Sequence, residues 1–406
     1  MGWELEESIY RRIATTTPTR ILYLVLDGLG GLPGPDGRTP LEAAATPNLD
    51  RLVREGCSGI FDPVAPGVTP GSGPGHLGLF GYEPMTVEVG RGVLAALGIG
   101  FPIRKGDVAA RFNFCTLDGE GRVTDRRAGR IPTEKNRELV ALLRERVRPP
   151  EGVELFLETV AEHRGLLVLR GEDLGHRIAD TDPQRTGVAP LPAKALAPDS
   201  ERTARIVDEI VAKITEVLRD HHPANGILLR GFDTLPDIPS LQERFGLRPV
   251  CIAQYPMYRG LARLVGMEVP EPPASLEALP ASLKEHWDGH DFFFCHVKYT
   301  DKAGEDGDFG RKCEVIETVD AMLPTMLELR PEVVVVAADH STPARLKAHS
   351  WHPVPGLIWA PSTVLPDRVE AFGERECSRG GLGRQYLRHL LPQALAHAGK
   401  LVKFGA

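Results

Sequence analysis

Three short apolar runs in this chain each lead into an acidic residue. "ILYLVL" (21–26) runs into Asp27, "DFFFCHV" (291–297) is followed by Asp301, and "EVVVVAA" (332–338) runs into Asp339 and His340. Runs rich in β-branched and aromatic residues, with no polar alternation, are the pattern of strands buried on both faces, as in a parallel sheet. "LLVL" (166–169), "GILLR" (226–230) and "PVCIA" (249–253) are weaker examples. Helical patterns lie between them. "TPNLDRLVREG" offers Thr46 as N-cap, Pro47 at the first helical position and Gly56 as terminator. "SERTARIVDEIVAKITEVLRDHH" puts Ile206, Val207, Ile210, Val211, Ile214, Val217 and Leu218 on one face. Alternating strands and helices predict an α/β fold, a mostly parallel sheet flanked by helices.

Length and composition add limits. At 406 residues the chain exceeds one ordinary domain, and 42% hydrophobic residues are enough for a sizeable core. Residues 103–245 carry many arginines and their own strand and helix signals, which predicts a smaller α/β domain inserted into a discontinuous one made of 1–102 and 246–406. A net charge of −7 argues against a nucleic-acid or membrane-surface partner. The scattered cysteines at 57, 115, 251, 295, 313 and 377 form no C-x-x-C pair and read as free thiols of a reducing compartment. No apolar run reaches membrane length, and the opening "MGWELEESIYRRIATT" lacks the apolar core of a signal peptide. The expectation is a cytoplasmic protein acting on a small molecule.

The glycines after Asp27 suggest a dinucleotide loop, but the order Gly28, Leu29, Gly30, Gly31, Leu32, Pro33 puts proline where the third glycine belongs. What remains is a bare acid at a strand end. Parallel sheets gather reactive groups at the carboxyl ends of their strands. Asp27, Asp301 and Asp339 gathered there would repel one another unless a cation sat between them. His340 adds an imidazole, His349 can return on the loop "DHSTPARLKAHSWHP", and Glu305 lies one helical turn beyond Asp301. Mixed carboxylate and imidazole ligands suit Mn²⁺, Zn²⁺, Co²⁺ or Mg²⁺. In "GVTPGSGPGHLGLFGY", Ser72 sits among Gly67, Gly71, Gly73 and Gly75, where backbone N–H groups can approach an anion. A serine there serves as nucleophile when a dication lowers its pKa. His76 reads as a supporting residue.

"LVLDGLG", the Ser72 loop, "TDKAGEDGD", "DHST" and "HSWHPVP", in this order, resemble the alkaline phosphatase superfamily. More narrowly, they resemble its cofactor-independent phosphoglycerate mutases of the archaeal type. "TPLEAAATPNLDRL", "FGYEP", "GRGVLAALGIG", "TDRRAGRI" and "FGERECSRGGLGR" extend the resemblance over nearly the whole chain. The resemblance implies a glycolytic isomerase. It would interconvert 3-phosphoglycerate and 2-phosphoglycerate through a phosphoserine, with two divalent metal ions, Mn²⁺ first among them, and no 2,3-bisphosphoglycerate. One metal would be held by Asp27, Ser72, Asp339 and His340. The other would be held by Asp301, His349 and Glu305, the last at a position that is often His in relatives. Gly73 departs too, since archaeal relatives commonly carry an acid after the serine.

The anionic substrate needs cationic holders. "RVTDRRAGRI" supplies Arg126, Arg127 and Arg130, and "EHRG" supplies His163 and Arg164. "ADTDP" supplies Asp180 and Asp182 for hydroxyls, "YPMYRGLARLVG" supplies Arg259, and Lys298 follows a metal-bearing strand. A metal-dependent phosphohydrolase, or a phosphotransferase or mutase of another small phosphorylated metabolite, would share the metal ligands.

Overall fold

The computed structural model describes residues 2–87 and 89–405. Its strands are β1 (Ile21–Leu26), β2 (Cys57–Asp62), β3 (Val108–Leu117), β4 (Val123–Asp125), β5 (Val153–Ala161), β6 (Arg164–Gly171), β7 (Gly226–Asp233), β8 (Pro249–Ile252), β9 (Phe292–Val297), β10 (Val333–Ala337), β11 (Val354–Trp359) and β12 (Gly383–Tyr386). The chain divides into two compact units, Met1–Glu88 with Ile238–Ala406, and Val89–Asp237.

The larger unit is built on a seven-stranded sheet in the order β12-β2-β11-β10-β1-β9-β8. β1 is flanked by β10 and β9, both parallel to it, and β8 runs parallel to β9. Only β11 runs against its neighbours, β10 and β2. All six residues of β1 are fully buried. That explains the absence of polar alternation, and each side chain so buried contributes about 1.5–3 kcal/mol. Because β10, β1 and β9 are parallel, the segments that follow them leave from one edge of the sheet. Helices cover the faces. Pro47–Glu55 begins after Thr46 and ends at Gly56, although the Thr46 side chain makes no capping bond. Thr39 and Glu42 form a reciprocal capping box on the short helix Pro40–Ala43.

The smaller unit has five strands, with β3 at its centre paired to β4, β6 and β7 and with β5 beyond β6. Every pairing is antiparallel. The runs at 166–169 and 226–230, expected as parallel strands, therefore lie in an antiparallel sheet. β5 and β6 are joined by only Glu162 and His163, and a connection that short permits nothing but a hairpin. Helix Glu201–Leu218 buries Ile206, Val207, Ile210, Ile214 and Leu218 in this unit's core.

The units divide at 88/89 and 237/238, against the expected 102/103 and 245/246. Helix Arg91–Gly98 belongs with the smaller unit because Gly92 sits against β3: a Cβ there would meet the Ala109 carbonyl oxygen at 2.2 Å. Helix Leu241–Phe245 belongs with the larger unit. Its Arg244, 1% exposed, donates to the carbonyls of Phe80 and Gly81 and pairs with Glu7. All six cysteines are free thiols. No helix among the described residues is long and apolar enough to cross a membrane.

Candidate metal and phosphoryl-transfer site

Asp27 follows the last residue of β1, and Asp339 and His340 follow β10 after one alanine. Asp301 lies in the first turn of helix Tyr299–Asp306, which begins two residues after β9. The segment after His340 folds back on itself through a bridge between Ser341 and Ser350, and this returns His349 to the sheet edge. The His340 and His349 rings stack with centroids 3.7 Å apart.

Two groups of potential ligand atoms result, each with all its atoms within 4.8 Å of one another: Asp27, Asp339 and His340, and Asp301, His340 and His349. His340 belongs to both. Its Nε2 lies 3.3 Å from Asp27 Oδ1 and 3.1 Å from Asp339 Oδ2. Asp27, Asp301, Asp339 and His340 are all completely buried. Yet both oxygens of Asp27, Oδ2 of Asp339 and Nε2 of His340 have no hydrogen-bond partner of acceptable geometry. Buried carboxylates without donors are rare and costly. A pair of divalent cations would satisfy these atoms, so the donor set fits the metals implied by the sequence.

Protein cations fill part of that role. Lys298 Nζ contacts Asp301 Oδ2 closely, lies 3.3 Å from Asp27 Oδ2 and donates to the Tyr258 hydroxyl at 2.9 Å. Burial disfavours its charge, but Asp27 and Asp301 outweigh burial and raise its pKa. Burial also acts against the Asp27 carboxylate, yet His296, His340 and Lys298 hold it well below the usual range. His340 is pushed up to about 9: burial opposes its charge, and the Asp339, Asp27 and Asp301 carboxylates favour it more strongly.

Behind the acids is an aromatic cluster of which sequence reading singled out only His76, as a supporting residue. Tyr258 is buried against both His76 and His296, at centroid distances of 4.4 and 4.1 Å, and the two imidazoles lie 5.1 Å from each other. His76 Nδ1 is 3.1 Å from Asp339 Oδ2, and His296 Nε2 is 3.2 Å from Asp27 Oδ2. A histidine interrupting the apolar run of β9 was the available signal for His296.

Ser72 is half-buried at the start of helix Ser72–Leu79, and its carbonyl accepts from His76 Nδ1 at 2.8 Å. Burial raises the Tyr258 phenol well above its usual range. Asp27 and Asp339 push the same way, while the nearby Ser72 side chain opposes them. His76, bonded to the Ser72 carbonyl and 3.1 Å from Asp339 Oδ2, links the Ser72 helix to the acid cluster. Gly75, on the same helix, packs against Asp339: a Cβ there would meet its carbonyl oxygen at 2.3 Å. Glu305 stays at the margin, with its side chain 53% exposed and Oε1 3.9 Å from His349 Nε2, outside both ligand groups. The helix turns Asp301 inward but leaves Glu305, four residues on, facing solvent.

The smaller unit holds most of the expected substrate residues. Arg126 is bidentate to Asp182, and Arg230 lies 3.3 Å from Asp180 and 3.7 Å from Asp182. Asp180 and Asp182, expected to meet hydroxyls, are therefore engaged by guanidinium groups. Arg230 went unnoticed in the sequence, although an arginine closing "GILLR" marks it. His163 is 1% exposed with Nδ1 unpartnered. Burial, then Arg164, with smaller contributions from Arg127 and Arg130, pushes it down to about 4 against the pull of Glu162. Arg164 lies 3.4 Å from Glu162, while no ion pair of Arg127 or Arg130 occurs among the described residues. Ala128, Gly129 and Arg130 all have positive φ, at 46°, 61° and 53°. The Asp125 carboxylate accepts from the Arg127 and Gly129 amides within this tight turn. Arg259, in the larger unit, is 9% exposed and donates to the carbonyls of Ala253 and Pro270, which gives it a backbone-fastening contact.

A mostly parallel α/β sheet with strand-end acids, paired imidazoles and a serine at a helix start defines a phosphoryl-transfer class of α/β protein. Comparison with known proteins narrows this. The family model described as 2,3-bisphosphoglycerate-independent phosphoglycerate mutase matches residues 53–225. A probable 2,3-bisphosphoglycerate-independent phosphoglycerate mutase of Thermus thermophilus is 54% identical over 98% of this chain and 99% of its own. Among solved structures, the PH0037 protein from Pyrococcus horikoshii superposes with a TM-score of 0.83 at 31% identity, covering 96% of this chain and 100% of that one. The cofactor-independent phosphoglycerate mutase from Thermoplasma acidophilum gives 0.73 at 31% identity, covering 94% and 100%. The chain belongs to the 2,3-bisphosphoglycerate-independent phosphoglycerate mutase family, and is an isomerase.

Proposed function

We propose that the chain interconverts 3-phosphoglycerate and 2-phosphoglycerate, with two divalent cations, Mn²⁺ first among them, and with Ser72 as the phosphoryl carrier. The observation carrying this reading is the pair of buried strand-end carboxylates with unpartnered oxygens, Asp27 and Asp339, beside which the Ser72 helix is held by His76, bonded to the Ser72 carbonyl and 3.1 Å from Asp339 Oδ2. Asp27, Asp339 and His340 would hold one cation, and Asp301, His349 and the shared His340 the other, with Glu305 as an outlying contributor. The bound cations would lower the Ser72 pKa and neutralise charge on the transferred group.

Ser72 Oγ forms a bond to phosphorus as the bond to the glycerate oxygen breaks. The freed glycerate then returns its other hydroxyl to the phosphoserine, and Ser72 leaves. Lys298, already paired with two carboxylates, can turn to the phosphoryl oxygens once those carboxylates have metal partners. In the smaller unit, Arg127, Arg130 and Arg164 with neutral His163 would take the substrate's anionic groups. Arg126 and Arg230, braced by Asp180 and Asp182, would line the same region. The free thiols fit a cytoplasmic setting.

The test is conversion of 3-phosphoglycerate by metal-stripped protein, with and without Mn²⁺, following 2-phosphoglycerate and inorganic phosphate together. The expected result is Mn²⁺-dependent 2-phosphoglycerate with no lag for added 2,3-bisphosphoglycerate. Accumulating inorganic phosphate would make the protein a phosphohydrolase, and full activity after chelation would end the metal mechanism.

A further inference from the structure

Lys312, on helix Phe309–Leu327, is completely buried and forms no ion pair with a carboxylate among the described residues. Its Nζ donates to three backbone carbonyls: Gly28 at 2.7 Å, Thr342 at 2.8 Å and Gly30 at 3.1 Å. Three acceptors match the three hydrogens of an ammonium. Burial pushes its pKa down to about 8, and the three carbonyl acceptors favour the ammonium form.

These carbonyls belong to the two turns that carry metal-site acids. Gly28 and Gly30 follow Asp27, and Thr342 follows Asp339 and His340. The same turns are cross-linked again: the Thr342 amide donates to the Gly28 and Gly30 carbonyls, and the Gly28 amide donates to Asp339 Oδ1 at 3.1 Å. The Thr342 hydroxyl donates to Asp301 Oδ1 and so brings in the third acid. The turn cannot thicken to compensate for a lost contact. Gly28 has φ +63°, and a Cβ there would meet both Asp301 Oδ1 and Thr342 Oγ1 at 2.6 Å. Glu374 grips the turn from its next residue, accepting from the Gly31 amide at 2.8 Å and from the Thr39 hydroxyl at 2.6 Å.

We propose that Lys312 is a positioning residue whose buried ammonium pins the Asp27 and Thr342 turns together and so assembles the metal-ligand carboxylates before a metal arrives. Holding three buried carboxylates together without metal is uphill. A fixed cation behind the turns offsets that cost without occupying the ligand oxygens, which Lys298 does from the front. The proposal rests on the metal reading above.

The test is Mn²⁺ binding to metal-free protein, measured by calorimetry and by the electron paramagnetic resonance of bound Mn²⁺, for wild type and Lys312→Met. Folding is checked by circular dichroism. The expected result is a folded variant that binds Mn²⁺ about 10- to 100-fold more weakly, as for other residues that orient metal ligands, with an altered resonance. If Lys312→Met does not fold, Lys312→Ala is refolded with and without excess propylammonium, which can refill the carbonyl cage. Amine-dependent recovery of both folding and Mn²⁺ affinity supports the proposal. A variant that stays unfolded with the amine, or that folds with Mn²⁺ affinity still weak, overturns it. A folded Lys312→Met protein with wild-type affinity and resonance also overturns it. Wild-type protein that binds no Mn²⁺ ends the metal reading instead.

Discussion

In the larger unit, three buried carboxylates meet at the strand ends, and both oxygens of Asp27 and Oδ2 of Asp339 have no hydrogen-bond partner even with His340 and Lys298 beside them. In the smaller unit the imbalance is reversed. Asp180 and Asp182 hold Arg126 and Arg230, while Arg127 and Arg130 form no ion pair among the described residues and His163 is kept neutral among them. One cluster is short of positive charge and the other short of negative charge. Uncompensated charge in a folded interior costs free energy, so each cluster points to the kind of ligand that would complete it: a dication in one, a small anion in the other.

The sharpest way to break this division of labour is Ser72→Ala. Mutase turnover should fall by about 10⁴-fold or more, since a covalent carrier has no substitute. Mn²⁺ binding should stay within about tenfold of wild type by calorimetry, because the strand-end acids remain. Arg127→Ala probes the other cluster. KM for 3-phosphoglycerate should rise about 10- to 100-fold, the loss of one charged hydrogen-bonding partner, with Mn²⁺ affinity unchanged. A change in Mn²⁺ affinity there, with KM unmoved, would dissolve the contrast.

Two smaller effects sharpen it. Glu305→Gln should weaken Mn²⁺ binding by less than about tenfold, as suits an exposed carboxylate beside a half-buried imidazole; a larger loss would place Glu305 among the ligands. His163, held down to about 4 in the folded protein, returns to about 6.5 on unfolding. Unfolding between those pH values takes up a proton, so stability present above pH 6.5 is lost as pH falls toward 4. The loss, about 2 kcal/mol by pH 5, should appear as a lower urea midpoint and should flatten in His163→Gln.

The two regions also differed in how plainly the sequence announced them. Asp27, Asp339 and His340 were visible because strand and acid adjoin in the chain, and parallel pairing delivers such residues to one edge. Residues whose roles depend on what packs against them gave little sign. Tyr258 looks like an ordinary helix aromatic, and Lys312 like a solvent-facing lysine, until the turns beside them are built. The smaller sheet was misjudged because an apolar run such as "LLVL" looks the same in parallel and antiparallel sheets. Only the two-residue link between β5 and β6 decides the direction. Glu305 shares a helix with Asp301, but spacing alone did not reveal which of the two the helix would turn inward.

Gly75 carries a consequence for anyone redesigning this protein. The helix bearing Ser72 rests directly on the backbone of Asp339, and the missing side chain at position 75 is what lets it come so near. The gap between the Ser72 hydroxyl and the strand end is therefore set three residues away from Ser72. Even a single methyl group inserted there would act as a spacer, levering the first turn outward and moving the Ser72 hydroxyl away from Asp339 while every side chain of the site kept its chemical identity.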